Sequence, residues 1–168
     1  MLVLSANYTW LAGRAGSFTL EGAYTNVLTH NEVRFPGDPQ IDLLNSPFYS
    51  TEFKTKANLG LTWNLGKFGT TVYLEYYGHS PNFVSTQAPE GYATPGAANL
   101  ATWTITNWSV QYEVLPGLVF NGNINNVFNR SPPFDNSYRG IDNQPYNIFN
   151  YNDYGRTFFV GLTYKQHK

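Results

Sequence analysis

The chain has 168 residues, a formal net charge of −1, 12% charged residues and 17% aromatic residues. A nucleic-acid-binding surface is not expected, because such surfaces need clustered positive charge to neutralise phosphates. Intrinsic disorder is not expected either, because disordered chains are poor in aromatic residues and rich in charge. The chain contains no run of about 18 apolar residues, so no transmembrane helix is predicted. The absence of cysteine excludes disulfides and thiolate metal sites.

Seven segments alternate between apolar and polar residues with the period of two that is typical of β-strands. They cover residues 2–10, 17–25, 53–65, 68–77, 101–114, 118–128 and 157–164. Most are longer than the roughly 5–6 residues of an average soluble strand and match the roughly 9–11 residues of a tilted transmembrane strand. The pattern predicts an all-β chain whose sheet meets lipid on one face and water on the other.

Charged side chains give an internal check on these faces. Five of them fall on the polar phase of their segments, namely Glu21, Lys54, Lys56, Glu75 and Glu113. Phe53 and Phe128 are assigned to the apolar phase. Trp103 and Ile105 are out of phase with the rest of their segment, and a β-bulge is one explanation. Phe159 also breaks the alternation.

The connections between the segments are of two kinds. Short turns occur at Gly13-Arg14-Ala15, around Gly66 and at Pro116-Gly117, and they alternate with long polar gaps at 31–51, 80–99 and 129–153. Short periplasmic turns and long extracellular loops are the layout of an antiparallel transmembrane β-barrel of the bacterial outer membrane. Such barrels have an even number of strands. Seven strands therefore predict a fragment of a larger barrel, with at least one strand missing.

The N-terminus does not supply an export signal. Met1-Leu2-Val3-Leu4 lacks the basic n-region and the small-residue cleavage site of a signal peptide. An outer-membrane protein must be exported. We therefore expect either that the signal has been removed or that the true N-terminus lies upstream.

The last third of the chain resembles the C-terminal region of TonB-dependent outer-membrane receptors. INNVFNRSPPF (Ile124–Phe134) is similar to the penultimate strand and loop entry of that family, and NDYGRTFFVGLTY (Asn152–Tyr164) is similar to its closing strand. Weaker similarity extends over Pro36–Gly78. The resemblance implies wall and extracellular loops of a receptor for the energised uptake of a scarce nutrient, such as a siderophore, cobalamin or an oligosaccharide.

The resemblance also implies partners. They are the outer-membrane bilayer, the missing N-terminal barrel strands and plug domain, and TonB, which would be contacted only through the absent N-terminal part. Gly161, Leu162 and Tyr164 resemble the C-terminal signal that the outer-membrane insertion machinery recognises, although Gln166 stands where a final aromatic residue is expected. Packing of Tyr164 in an aromatic girdle is the alternative role.

Other candidate site residues have simpler interpretations. His30, His79 and His167 could contact a metal or ferric ligand, but no recognised ligand spacing accompanies them, and exposed loop histidines are the simpler interpretation. Glu21, Glu75 and Glu113 could line a pore or could be ordinary water-facing residues. Loop 134–153 could touch a ligand because of its position. No Ser-His-Asp spacing, phosphate-binding glycine loop or pair of catalytic acids occurs, so we expect no enzymatic activity, cofactor or metal.

Two other architectures remain open. One is an independent eight-stranded barrel, porin-like or adhesive, with one strand unrecognised. The other is a soluble β-sandwich that binds a ligand. The sandwich predicts that five apolar residues are buried against a second sheet, whereas the barrel predicts that no part of the protein covers them. These residues are Leu59, Leu61, Trp63, Val72 and Leu74.

Overall fold

The computed structural model describes residues 1–50, 52–139, 145–147 and 150–165. Its strands are β1 Leu2–Leu11, β2 Ser17–Asn26, β3 Asn31–Glu32, β4 Ile41–Asp42, β5 Thr55–Leu65, β6 Phe68–Tyr77, β7 Ser80–Pro81, β8 Asn99–Leu100, β9 Trp103–Leu115, β10 Leu118–Asn125 and β11 Thr157–Tyr164. In this described part of the chain, seven strands form one sheet in the order β1-β2-β5-β6-β9-β10-β11. Every pairing is antiparallel. The prediction of an all-β chain with seven long antiparallel strands is confirmed.

The connections of the sheet are segregated by length. Three tight turns join β1 to β2, β5 to β6 and β9 to β10, and three long connections join the other neighbours. We call the two ends of the sheet the turn end and the loop end. The first long connection contains the β3–β4 ladder and the second contains the β7–β8 ladder. Neither short ladder is predicted by the sequence, because two residues are too few to show a period.

Cross-strand pairing gathers most of the apolar residues on a single face of the sheet. One row across all seven strands consists of Tyr8, Leu20, Leu61, Val72, Trp108, Ile124 and Phe158. The opposite face carries polar rows, such as Asn7, Glu21, Gly60, Tyr73 and Asn107. Lys56, Glu75 and Glu113 lie on this polar face as well. A slip of one residue would exchange the faces, so the regular register fixes both.

Four sequence predictions about the strands are wrong: the β-bulge near Trp103, and the placement of Phe53, Lys54 and Phe128 within strands. The β6–β9 register runs without a break from Tyr77↔Trp103 to Phe68↔Tyr112, so no bulge causes the phase of Trp103 and Ile105. The irregularity lies instead between Leu118 and Val119 in the β9–β10 pairing.

The other errors concern strand ends. β5 begins at Thr55, so Phe53 and Lys54 precede the strand, and Phe53 is buried at the loop end rather than placed on the apolar face. β10 ends at Asn125 because Asn126 adopts the left-handed conformation with φ 51°, which leaves Phe128 outside the strand.

No second layer of the described chain covers the apolar face. Leu59, Leu61 and Val72 are 45%, 43% and 43% exposed, and Trp63 and Leu74 are half-buried. The described aliphatic and aromatic side chains that form the buried core all lie at the loop end: Leu43, Phe53, Leu100, Trp103, Tyr146 and Tyr151. The burial that the β-sandwich predicts is therefore not found in the described residues.

The sheet is open. Within the described residues β1 pairs only with β2, and β11 pairs only with β10, so both edges lack a neighbour. Because the number of strands is odd and every pair is antiparallel, β1 and β11 run in the same direction.

No helix in the described ranges is both long enough and apolar enough to cross a membrane.

Aromatic rings form a ladder on the apolar face near the turn end. Ring centroids are 5.9 Å apart for Tyr8 and Trp10, 5.2 Å for Trp10 and Phe18, 6.2 Å for Phe18 and Trp63, and 5.6 Å for Trp63 and Phe68. These separations lie in the range of favourable aromatic pairs. The ladder explains why the sequence places aromatic residues near these strand ends.

Gly16 in the first tight turn provides a stability test. Its φ of 87° and ψ of −150° are open to glycine, and a Cβ atom there would lie 2.0 Å from the carbonyl oxygen of Asn64. We expect Gly16→Ala to lower the free energy of unfolding by about 3 kcal/mol or more. Gly66→Ala is the matched control, because Gly66 has φ 56° and no atom within 4 Å of a Cβ, and it should cost about 1–2 kcal/mol. Equal losses in chemical unfolding would contradict the packing of this turn against β5.

Candidate functional site

A cluster of four aromatic rings closes the polar face at the loop end. Tyr77 and Trp103 are cross-strand neighbours with ring centroids 5.6 Å apart. The ring centroid of Phe53 lies 5.2 Å from that of Tyr77, and the ring centroid of Tyr151 lies 5.4 Å from those of both Phe53 and Trp103. Phe53 and Tyr151 belong to two different long connections, so this ring cluster fixes those connections to the sheet.

The ring cluster contains two polar groups, of which one has a hydrogen-bond partner among the described residues and the other has none. The Tyr151 hydroxyl is 2.8 Å from Ser80 Oγ, and burial raises the pKa of the Tyr151 phenol. Trp103 is 4% exposed, and its enclosed Nε1–H has no acceptor among the described residues. An unpaired buried donor costs stability.

Asp135 joins the second and third long connections. Its Oδ2 accepts a hydrogen bond from the backbone N–H of Phe83 at 2.8 Å, and its Oδ1 accepts from Ser137 N–H at 2.9 Å and Ser137 Oγ at 2.6 Å. The carboxylate is 4% exposed and is held by three donors. This arrangement is a structural anchor for the loops.

The first of the two larger cavities that the described residues form at the loop end, here the charged cavity, has a volume of about 500 Å³. Its lining includes the pair His30 Nδ1–Glu52 Oε2 at 2.5 Å and the pair Arg34 Nε–Glu32 Oε2 at 3.8 Å. Lys56 Nζ lies 5.5 Å from the ring centroid of Phe53. These ion pairs are partly exposed and contribute little to stability. They give the cavity charges of both signs.

The second, here the amide cavity, has a volume of about 720 Å³ and lies on the polar face between β6, β9, β10, β11 and the last connection. Its described lining combines asparagines with aromatic rings: Asn107, Asn125, Asn126, Asn150, Asn152, Tyr77, Trp103, Tyr154 and Phe159. Glu75 is the one acidic side chain in this described lining, and no basic side chain occurs there. Tyr77 and Asn150 line both cavities, which therefore adjoin each other.

The turn after β10 forms one side of the amide cavity and is held by Asn126. Its Nδ2 donates to the carbonyl of Arg130 at 2.8 Å, and its Oδ1 accepts from the N–H of Arg130 at 2.8 Å. Its own N–H donates to Asn107 Oδ1 at 2.9 Å. Asparagine suits this position because it tolerates φ 51° and its short amide can bond locally.

Asn129 connects the two motifs that carry the family resemblance. It also adopts φ 51°, and its Oδ1 accepts a hydrogen bond from the N–H of Arg156 at 2.8 Å. A Cβ atom on Gly155 would lie 2.8 Å from that same Oδ1, and Gly155 has φ 64°. The end of β10 and the start of β11 are thus joined through residues of both motifs.

The candidate residues from the sequence are dispersed. Glu75 lines the amide cavity, whereas Glu113 Oε1 accepts from Gly117 N–H at the turn end. His30 lines the charged cavity, and His79 Nδ1 lies 2.8 Å from the carbonyl oxygen of Leu100. His167 lies outside the described residues. No group of three potential metal-ligating side chains converges in the described ranges.

The predicted assembly residues lie on the edge strand β11. Leu162 and Tyr164 face the apolar side and are 68% and 69% exposed, while Gly161 pairs with Asn121 on the polar side. Glu21 lies further along the sheet, opposite Asn7. Residues 166–168, where the motif departs from the family pattern, lie outside the described residues.

Two aromatic residues that line the amide cavity are not predicted as site residues by the sequence. Trp103 and Phe159 lie on the polar face, and both line the amide cavity. Their departure from the alternation was the available signal. An aromatic residue on a polar face near a long connection indicates that the connection packs over that face.

Comparison of the chain with protein-family models, with curated proteins and with solved structures found no match. The candidate site is therefore defined by its own geometry. It consists of two adjoining cavities that share Tyr77 of the ring cluster and open at the loop end of the sheet.

Proposed function

We propose that this chain forms part of the wall and the extracellular loops of a TonB-dependent receptor in the bacterial outer membrane. The polar face lines the interior, the apolar face meets lipid, and the loop end faces the exterior. The receptor imports a scarce nutrient with energy transduced through TonB. Loops at the loop end contact the nutrient first, and no catalytic step is assigned to the chain.

The uncovered apolar face is the observation that carries the proposal. Apolar side chains run across seven strands with no described layer over them. Contiguous exposed apolar surface of this extent is a liability in water and an advantage in a bilayer. Charged side chains of the strands lie on the opposite face, where they avoid hydrocarbon.

The open edges support a larger barrel over an independent small one. β1 and β11 run in the same direction, so direct closure would need a parallel pair in an otherwise antiparallel barrel. An odd number of further strands restores the even number that is usual for bacterial barrels. The receptor family is proposed from the resemblance of the two motifs, which a hydrogen bond between Asn129 and Arg156 joins.

Single-cysteine labelling of intact cells tests the orientation. The chain contains no cysteine, so Ala93→Cys and Lys67→Cys each introduce one thiol at an exposed site. We expect a membrane-impermeant maleimide to label Ala93→Cys, which lies in a long connection, on intact cells. Lys67→Cys lies in a tight turn and should be labelled only after the outer membrane is permeabilised. The reverse pattern, or label on neither site in the membrane fraction, would contradict the proposal.

A further inference from the structure

We infer that the amide cavity binds an uncharged ligand rich in hydroxyl groups, of the oligosaccharide class. The inference rests on the proposed function, because it takes the loop end as the side from which a nutrient arrives. The volume of about 720 Å³ is in the range of small-molecule sites. The cavity therefore accommodates a few sugar rings.

Two asparagine side chains offer hydrogen bonds to a ligand. The Asn125 side chain has no hydrogen-bond partner among the described residues, and Asn152 uses its Oδ1 to accept from the N–H of Tyr154 at 2.9 Å. An amide presents an acceptor and two donors within a small space. That pattern complements neighbouring hydroxyl groups, each of which both donates and accepts.

Two further asparagines hold the site rigid. The side chain of Asn107 donates to Glu75 Oε1 at 2.8 Å and accepts from the backbone N–H of Asn126, and the Asn126 amide is bonded to Arg130. These groups are occupied by the protein itself. They fix the end of β10, and with it Asn125, before a ligand binds, which reduces the entropic cost of binding.

Exposed rings supply the apolar part of the site. Tyr154 is 82% exposed and Phe159 is 55% exposed, although both lie beside polar groups. A sugar ring presents a face of C–H groups, which packs against an aromatic ring, while its hydroxyl groups point outward to amides. Amides beside rings therefore match a sugar better than they match a purely apolar ligand.

The charge of the cavity disfavours an anion. Glu75 is the single acidic group in the described lining, and its two oxygens accept from Asn107 Nδ2 at 2.8 Å and Tyr77 OH at 2.9 Å. No described lysine, arginine or histidine in this lining would neutralise an anionic ligand. Arg34 and Lys56 line the neighbouring charged cavity instead.

Calorimetric titration of the full polypeptide in detergent tests the inference. The uncharged probes are maltohexaose, xylohexaose and mannohexaose, and the anionic probes are hexagalacturonate and ferric citrate. We expect at least one uncharged probe to bind, and both anionic probes to bind at least about tenfold more weakly. Asn125→Ala should weaken the binding of the uncharged probe about tenfold. Asn123→Ala is the matched control, because Asn123 is the preceding polar-face residue of β10 and lies outside the cavity.

The outcomes separate this inference from the proposed function. Tighter binding of an anionic probe, no binding of any uncharged probe, or equal effects of Asn125→Ala and Asn123→Ala would overturn the oligosaccharide assignment. Correct labelling of Ala93→Cys on intact cells would in that case leave the receptor proposal standing. Failure of the labelling experiment would overturn the receptor proposal itself, whatever the titration gives.

Discussion

Leu61→Arg is expected to remove most of the folded protein from the outer membrane, whereas Thr62→Arg is expected to leave it there. Leu61 lies near the middle of β5 on the apolar face, between Leu20 and Val72 of the neighbouring strands. An arginine near the bilayer midplane costs about 2–4 kcal/mol. Thr62 is the next residue and lies on the polar face, where its Oγ1 is 2.8 Å from Thr71 Oγ1. Its substitution removes one hydrogen bond but places no charge in lipid.

The two variants are compared by the fraction of heat-modifiable, folded protein in outer-membrane preparations. Unfolding free energy in lipid vesicles gives the same comparison quantitatively. Both variants introduce an arginine, and the two positions are adjacent in β5. General effects of an added arginine are therefore the same in both and cancel in the comparison. Equal assembly of the two variants, or better assembly of Leu61→Arg, would contradict the assignment of the faces.

Trp103→Ala is expected to lower the free energy of unfolding by about 3–5 kcal/mol, the usual cost of deleting a buried tryptophan. The side chain is 4% exposed and contacts Tyr77 and Tyr151 in the ring cluster. Its removal should also free the long connections from the sheet, since the cluster joins them. Hydrogen exchange near Tyr151 should then accelerate.

Trp103→Phe is the matched control for this prediction. Phenylalanine keeps an aromatic ring in the cluster and removes an N–H donor that has no partner among the described residues. We expect it to cost less than half as much as Trp103→Ala. If both substitutions destabilise equally, or if Trp103→Ala leaves exchange in the loops unchanged, the cluster does not anchor the connections.

Local patterns predicted the faces of the sheet well. Alternation is a property of neighbouring residues, and the pairing of Leu20, Leu61 and Val72 on one face follows directly from it. Ends of strands depend on more distant contacts. Phe53 was misplaced because the packing of Tyr77 and Tyr151 around it involves residues far along the chain.

The site was predicted much less well than the fold. Trp103 looked like a defect in a strand, and only the position of the last connection over the polar face explains it. The meeting of Asn129 with Gly155 and Arg156 spans more than twenty residues, and no local pattern indicates it. Family resemblance marked both motifs, but their contact became apparent only in three dimensions.

Spin-label accessibility along β5 tests the assignment of lipid and water to the two faces most directly. Single cysteines at Asn58, Leu59, Leu61 and Thr62 are each labelled with a nitroxide in the otherwise cysteine-free chain, and the protein is studied in vesicles. Labels at Leu59 and Leu61 should collide readily with oxygen and rarely with a water-soluble nickel chelate. Labels at Asn58 and Thr62 should show the opposite preference. Exposure of all four sites to the nickel chelate, or shielding of Leu59 and Leu61 from both reagents, would contradict a lipid-facing sheet.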